Sequence, residues 1–334
     1  MRVLSEADVA ALISIPEAID CAREAYRLQA LGTEPASVRG DLRRESPKAG
    51  ALLLVGARGA DHLTVKSNVH AWRDGPDAPR AWGSLLALWD WRSAAPRALI
   101  SARAFNDHRT AAGFAAGADL LAAPEARALA VFGAGKSAPM AIRYLKAVRP
   151  SLRRLLIVGR SPERVEALRA AASCWPEMAG LEIVVGLAPA EAAAQACLIA
   201  TVTTSETPVF PGERARAGAC VILGGANRPA AREADDALMR RADVFLDASA
   251  GARDKAGDLA LAMASGALRP EQIRGEIGAF PEGPPPLGPG SDLRVFKSMG
   301  LALQDVVLAE RLVARAEREG RGVVVDLEGA GLRP

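Results

Sequence analysis

Apolar runs and helical patterns alternate along the second half of the chain. Residues 128–132 form an apolar run of the length of a buried parallel strand, and the residues after Gly135 repeat with helical spacing. Further apolar runs lie at 155–158, 181–185, 196–202, 219–223 and 244–246. Because strands that alternate with helices build parallel sheets, this half predicts an α/β fold with a doubly wound parallel sheet of the Rossmann type.

The first hundred residues have a different pattern. Apolar positions at helical spacing after Ser14 predict a helix that ends at Gly32, with a capping box at residues 14–17. Strands are predicted at 51–55, 63–68, 83–89 and 96–101. In the second of these, alternation puts Lys66 on one face with Thr64 and away from the core. An apolar helix over 110–121 then follows Arg109.

Two segments close the chain. The proline-rich stretch 281–290 cannot form regular structure and is predicted to be a loop. An amphipathic helix follows the glycine at position 300.

A glycine turn joins the strand at 128–132 to the helix after it. Gly133 and Gly135 would let backbone N–H groups approach a pyrophosphate, and the start of a helix favours negative charge. This strand, turn and helix predict a dinucleotide site, with Lys136 and Ser137 beside it.

The end of the next strand suggests which dinucleotide binds. Arg160 and Ser161 stand where an acidic residue would accept a hydrogen bond from the ribose of NAD, and Arg164 follows one turn later. An arginine with a hydroxyl and a helix start suits a 2′-phosphate, so NADP(H) is favoured over NAD(H). The alternative is that Arg160 is a solvated loop charge and Ser161 only a helix cap.

Three more cofactor candidates follow strands of the same predicted sheet. Thr201, Thr203 and Gly225 lie at or just after strand ends, where ligands of such sheets bind. Simple strand propensity is the alternative explanation of the threonines.

Composition limits the other classes of function. The net charge of +3 over 334 residues is small and dispersed, so the sequence predicts neither nucleic-acid nor membrane binding. The N-terminus lacks the apolar core of a signal peptide, which predicts a cytoplasmic protein. With three histidines, and four cysteines without CxxC spacing, free thiols are expected and no metal site.

Six motifs occur in the order seen in the ornithine cyclodeaminase/μ-crystallin family, and the chain resembles that family over nearly its whole length. They are VRG at 38–40, TVKSN at 64–68, HRTAAG at 108–113, VFGAGKSA at 131–138, LGGANRPAARE at 223–233 and VFKSMGLALQD at 295–305.

The resemblance implies a bilobal protein. A substrate-binding and dimerisation lobe of α+β type comprises residues 1–115 with 298–334, and a Rossmann domain spans 116–297. The resemblance also implies a homodimer that forms through the first lobe. Arg39, Lys66 and Arg109 resemble the residues that hold the substrate's α-carboxylate, and Lys66 and Arg109 are also catalytic candidates. Lys297 and Ser298 of the last motif are added to the cofactor candidates.

Two positions depart from the cyclodeaminase pattern. Asn227 stands where cyclodeaminases have an aspartate that moves protons, and Asn106 replaces the usual threonine. An asparagine can orient an amine or a water but cannot act as a general base near neutral pH. Asn227 therefore remains a catalytic candidate with a changed role.

Three hypotheses stay open. The favoured one is an NADP(H)-dependent oxidoreductase acting on the C–N bond of a small amino or imino acid, either a ketimine reductase such as a pyrroline-2-carboxylate reductase or an amino-acid dehydrogenase. The second is ornithine cyclodeaminase, which forms proline and ammonia with bound NAD. The third is a non-catalytic, NADPH-dependent binding protein of μ-crystallin type.

Overall fold

A computed structural model describes residues 1–35, 37–44, 49–59, 61–71, 81–249 and 255–327. The chain divides into two compact units, one formed by Met1–Arg109 with Leu301–Pro334 and the other by Thr110–Gly300. The sequence places these boundaries after residue 115 and before residue 298. Among the described helices, none combines the length and the apolar character that crossing a membrane requires.

The first unit is built on a seven-stranded sheet. Its elements are β1 (Arg2–Leu4), α1 (Glu6–Leu12), α2 (Ile15–Leu31), β2 (Val38–Arg44), β3 (Ala49–Arg58), β4 (His62–Ala71), β5 (Ala81–Asp90), β6 (Ala95–Ser101), the start of α3 (Ala102–Leu121), α9 (Ala302–Glu319) and β15 (Val323–Val324). The strand order is β15-β1-β6-β5-β4-β3-β2. All neighbouring strands run antiparallel except β1 and β6, which are parallel.

The second unit is a doubly wound parallel sheet, as predicted. Its strands are β7 (Ala128–Phe132), β8 (Arg154–Val158), β9 (Glu182–Val185), β10 (Leu198–Thr201), β11 (Cys220–Leu223), β12 (Ala242–Leu246), β13 (Ile273–Glu276) and β14 (Leu293–Lys297). Its helices, after the rest of α3, are α4 (Ala138–Val148), α5 (Pro162–Ser173), α6 (Pro189–Gln195), α7 (Asp236–Arg240) and α8 (Gly257–Ala264), with short 3₁₀ turns between them. The order β13-β12-β14-β11-β10-β7-β8-β9 reverses direction between β7 and β10. Ligands of such sheets bind at that point.

The starts and ends of the first two helices show where the local sequence is sufficient to predict helix capping. The predicted helix α2 ends at Gly32, which adopts the left-handed conformation with φ 65°. The capping box predicted at its start is wrong, because the Ser14 side chain makes no capping bond and Pro16 occupies the first turn. A reciprocal box forms instead at α1, between Ser5 and Asp8.

Two sequence expectations about the first unit are also wrong. Helix α3 begins at Ala102 rather than near residue 110, so Arg109 lies within the helix. Lys66 shares its face with Thr64 as predicted, but that face is the buried one. It is buried because α9 packs against β3 and β4, where Gly56 leaves no room for a Cβ beside Ala302.

Candidate functional site

The glycine turn after β7 forms the base of an open cleft of about 890 Å³ in the second unit. Gly133 has φ 118°, which side chains rarely adopt, and its N–H donates to the Val158 carbonyl at 2.8 Å. A Cβ on Gly133 would lie 2.9 Å from the Val202 carbonyl oxygen, whereas Gly135 has open space above it. The turn therefore exposes its backbone at the place where the sheet reverses direction.

The cleft lining carries positive charge. Three of its residues are basic, Lys136, Arg160 and Arg164, and the lining contains no acidic residue. Gly133, Gly135, Ser137, Ser161 and Thr203, all predicted cofactor residues, also line it. A cleft of this composition suits a polyanionic ligand.

Ser161 is the N-cap of α5 as well as a lining residue. Its hydroxyl accepts from the Arg164 backbone N–H at 3.3 Å and donates to Glu163 Oε2 at 2.7 Å. Arg160 and Arg164 are exposed. The two guanidinium groups therefore stand in solvent next to a helix start, which is a favourable position for an anion.

Four predicted cofactor residues do not line the cleft. Thr201 and Gly225 surround the buried carboxylate of Glu233, which accepts from Thr201 Oγ1 at 2.9 Å and from the Gly225 N–H at 2.7 Å. The other Glu233 oxygen accepts from the Thr203 N–H at 2.7 Å. A Cβ on Gly225 would lie 2.1 Å from the Thr203 carbonyl oxygen, so this position needs glycine. Glu233, which the sequence analysis missed, thus fixes the loops after β10 and β11.

Lys297 and Ser298 are the other two predicted cofactor residues that do not line the cleft. The fully buried ammonium of Lys297 pairs with Asp258 Oδ2 at 2.8 Å and also donates to the Ala226 carbonyl. Ser298 Oγ donates to Asp247 Oδ2 at 3.3 Å, and burial raises the pKa of that carboxyl. Both side chains therefore face carboxylates inside the second unit.

A second group of predicted residues meets in the first unit. Lys66 lies on β4 with its side chain fully buried, and its Nζ is 2.6 Å from Asp305 Oδ2 at the start of α9. Arg109 on α3 approaches the same carboxylate, with its Nε 3.3 Å from Oδ1. Arg39 reaches this face by register, since it pairs with Leu54 of β3, which pairs with Lys66. We call Lys66, Arg109 and Asp305 the basic cluster.

Burial and neighbouring charges change the acidity of Lys66. The pKa of its ammonium is lowered from 10.5 to about 7: burial is the main cause, the charges of Arg109 and Arg39 act in the same direction, and Asp305 opposes them. Arg39 itself lies 3.6 Å from Asp41. An amine that titrates near neutral pH can give up a proton in a reaction.

Asp305 is the main residue that the sequence analysis missed here. It closes the last of the quoted motifs, but a carboxylate on a C-terminal helix gives no local sign that it pairs with a lysine on an early strand. The pairing depends on α9 packing against β4.

A polar network lies beside the basic cluster. Asn106 Nδ2 donates to Ser84 Oγ at 2.9 Å and to Asn68 Oδ1 at 3.1 Å, and Ser84 Oγ donates to Asn68 at 2.7 Å. All three side chains are buried. Asn106 stands one helical turn before Arg109 on α3, and Asn68 two residues after Lys66 on β4, so the network adjoins the cluster.

Asn227 lies on the loop after β11 and is exposed. The four cysteines are free thiols, and burial raises the pKa of Cys21 and Cys220 to about 12. Within the described part of the chain, no group of three or more histidine, cysteine or acidic side chains could hold a metal ion.

Comparison with known proteins identifies relatives over the whole chain. A Δ1-pyrroline-2-carboxylate reductase of Paracoccus denitrificans is 32% identical over 242 residues, covering 69% of this chain and 72% of the relative. One of Bacillus cereus is 27% identical over 326 residues, covering 96% and 98%. A solved Thermococcus litoralis structure, described as Δ1-pyrroline-2-carboxylate reductase with NADH and L-proline, has a TM-score of 0.86 at 23% identity and covers 97% of this chain and 100% of its own.

At that identity the structural likeness shows the fold alone, and it agrees with the Rossmann-type sheet and the second lobe described above. The family itself is shown by sequence, because the profile of the ornithine cyclodeaminase/mu-crystallin family matches residues 1–320. The chain therefore belongs to the ornithine cyclodeaminase/mu-crystallin family.

Proposed function

We propose that the protein is an NADPH-dependent oxidoreductase that reduces the C=N bond of a small cyclic imino acid, with Δ1-pyrroline-2-carboxylate as the first candidate substrate. The observation that carries the proposal is the basic cluster, in which a fully buried lysine with a pKa of about 7 shares one carboxylate with an arginine. Two relatives named for this activity support it.

The basic cluster suits a carboxylate ligand. It contains two cationic side chains and one carboxylate, and Arg39 adds charge at its edge. Buried charge in excess is costly unless an anion balances it, so the cluster favours an anionic ligand. Arg109 and Arg39 bind the substrate's α-carboxylate, because guanidinium groups hold carboxylates through paired hydrogen bonds.

Lys66 supplies the proton. Reduction of an imine to an amine adds one hydride to carbon and one proton to nitrogen. A buried ammonium with a pKa of about 7 can release a proton at neutral pH, whereas an ordinary lysine would retain it. Lys66 also adds positive charge near the carboxylate, which holds the substrate in one orientation.

The cleft in the second unit holds the dinucleotide, and its residues fit that ligand. Gly133 and Gly135 leave backbone exposed for a pyrophosphate, and the three basic side chains face no acidic residue in the lining. The chemistry that a bound nicotinamide supplies in this reaction is hydride transfer to the imine carbon. Arg160, Ser161 and Arg164 favour the phosphorylated cofactor, because they offer charge-assisted bonds to a 2′-phosphate.

The other predicted site residues have supporting roles. Thr201 and Gly225 shape the cofactor loops through Glu233, and Lys297 and Ser298 hold the ends of strands through their carboxylate partners. Asn227 is exposed on the loop after β11, and as an amide it does not act as a general base. No observation in the described residues favours ornithine cyclodeamination, which needs such a base.

The expected homodimer has support in the first unit. Five exposed apolar side chains lie on one face of its sheet, opposite to Lys66: Val38, Leu42, Leu53, Val69 and Leu85. An apolar patch of this kind is typical of a subunit interface. Light scattering tests the proposal. We expect a mass of twice that of the chain for the wild-type protein and a mass of one chain for Leu85→Asp. A cytoplasmic location remains a prediction.

A substrate panel tests the function. We expect NADPH oxidation at 340 nm with cyclic 2-imino acids and the fastest rate with a five-membered ring. Reductive amination of 2-oxo acids would identify an amino-acid dehydrogenase instead. Tight NADPH binding without turnover of any imine or 2-oxo acid would contradict the proposal and favour the binding protein.

A further inference from the structure

We propose that Asp305 is the positioning residue of the basic cluster: its carboxylate holds Lys66 and Arg109 in place and keeps the Lys66 ammonium charged before the substrate's own carboxylate joins the cluster and adds to the effect. The inference rests on the proposed function and deepens it. It assigns to the C-terminal helix a part in proton delivery.

Geometry gives the first argument. Asp305 is 1% exposed, and its two oxygens divide between two cations, with Oδ2 2.6 Å from Lys66 Nζ and Oδ1 3.3 Å from Arg109 Nε. Helix α9 fixes the carboxylate from behind. Gln304, the preceding residue, caps the helix by accepting from the Leu301 N–H at 3.0 Å, and its amide donates to the Tyr26 hydroxyl at 3.3 Å.

The groups that face Lys66 give the second argument. Arg109 on α3 and Arg39 on β2 destabilise its ammonium, and Arg39 has Asp41 beside it. The flanking strands contribute Leu54 and Leu86, which carry no charge.

Asp305 is the carboxylate that stabilises the Lys66 ammonium. Without it, burial and two guanidinium groups would act unopposed, and Lys66 would lose its proton at a lower pH. A substrate carboxylate bound to Arg109 adds a second negative charge at the same place. Substrate binding would therefore strengthen the hold of Lys66 on its proton in the complex.

The test compares Asp305→Asn with the wild-type protein over pH. Above about pH 7 wild-type kcat/KM should fall as Lys66 loses its proton, and in Asp305→Asn this limb should move to lower pH by about 1 to 3 units, the usual effect of an opposite charge at this distance. Asp305→Glu keeps the charge and should return the limb toward the wild-type position. Glu317→Gln removes another carboxylate of α9, one that pairs with Arg97 of β6, and should leave the pH dependence of kcat/KM unchanged.

A binding measurement separates this inference from the proposed function, because binding can be measured without turnover. Affinity for pyrrole-2-carboxylate, a planar carboxylate of similar shape, is measured over pH in the presence of NADPH. The pH above which affinity falls should move down in Asp305→Asn by the same amount as the kinetic limb. If the wild-type protein binds the carboxylate with this pH dependence but reduces no imine, the function fails while the inference stands.

If a folded Asp305→Asn protein loses kcat/KM and affinity for pyrrole-2-carboxylate at the same pH as the wild-type protein, the inference is overturned. A folded protein is one whose thermal midpoint and circular dichroism resemble those of the wild type. If Asp305→Asn does not fold, Asp305→Ser replaces it with a smaller neutral side chain. Failure of both neutral variants to fold, with Asp305→Glu fully wild-type, would assign the carboxylate to stability alone and would also overturn the proposal.

Discussion

Replacement of Arg160 by alanine isolates the part of the cleft that should distinguish NADPH from NADH. Arg160 lines the cleft after β8, and its side chain is exposed. A hydrogen bond to a charged group contributes about 1.5–3 kcal/mol, and solvent exposure places Arg160 near the lower end of that range. Because about 1.4 kcal/mol corresponds to a factor of ten, Arg160→Ala should lower kcat/KM for NADPH by roughly 10- to 30-fold.

The assay measures kcat/KM for both cofactors at a fixed, saturating concentration of the imine. The value for NADH should change by less than about threefold, because NADH has no 2′-phosphate to lose. Arg169→Ala is the matched control, since Arg169 lies on α5, the helix that follows Arg160, pairs with Glu166 and does not line the cleft. Equal losses with both cofactors, or no loss with NADPH, would refute the assignment of Arg160 to the phosphate.

Three further predictions concern the cleft, the polar network and Lys66. Gly133→Ala should destabilise the protein by about 1–3 kcal/mol in thermal unfolding, because a residue with a side chain is strained at φ 118°. At Gly135 a Cβ has free space, so Gly135→Ala should keep the thermal midpoint but weaken NADPH binding in a titration. Asn106→Leu should cost about 1–3 kcal/mol in a urea titration, since it leaves the buried Ser84 hydroxyl without a donor, and an unchanged midpoint would contradict the network. Because the pKa of Lys66 is lowered to about 7, wild-type kcat/KM should be highest below pH 7 and should fall about tenfold per pH unit above it. A kcat/KM that stays constant up to pH 9 would exclude Lys66 as the acid.

Local sequence was enough for the Rossmann half. The run at Ala128–Phe132, the glycine turn and the capped start of α5 are all patterns of neighbouring residues, and the structure has a strand, a turn and a helix there. The later strands through β12 differ from the prediction only at their ends. Two short strands, β13 and β14, were missed because proline-rich and irregular sequence surrounds them.

The substrate half depended on packing that no local pattern contains. Alternation along β4 showed that Lys66 and Thr64 share a face, but the covering of that face by α9, more than two hundred residues later, decides that Lys66 is buried. The same long-range packing brings Asp305 to Lys66. From the sequence alone, Arg39, Lys66 and Arg109 are three basic residues with no carboxylate partner, so the protonation of Lys66 cannot be predicted.

Glu233 shows a related limit in the second unit. The rule that ligands bind at strand ends correctly directed attention to Thr201 and Gly225, but their hydrogen-bonding groups face a buried carboxylate rather than the cleft. A sequence motif identifies the loop, whereas the direction of a side chain within it depends on the partner that lies beneath.

If the protein reduces an imino acid with NADPH, the stoichiometry of the reaction should show it. Purified protein is incubated with Δ1-pyrroline-2-carboxylate and a limiting amount of NADPH, and proline and ammonia are quantified at completion. We expect one proline for each NADPH oxidised and no ammonia. No proline from the imine, together with ammonia and proline from ornithine at a catalytic amount of NAD, would contradict it.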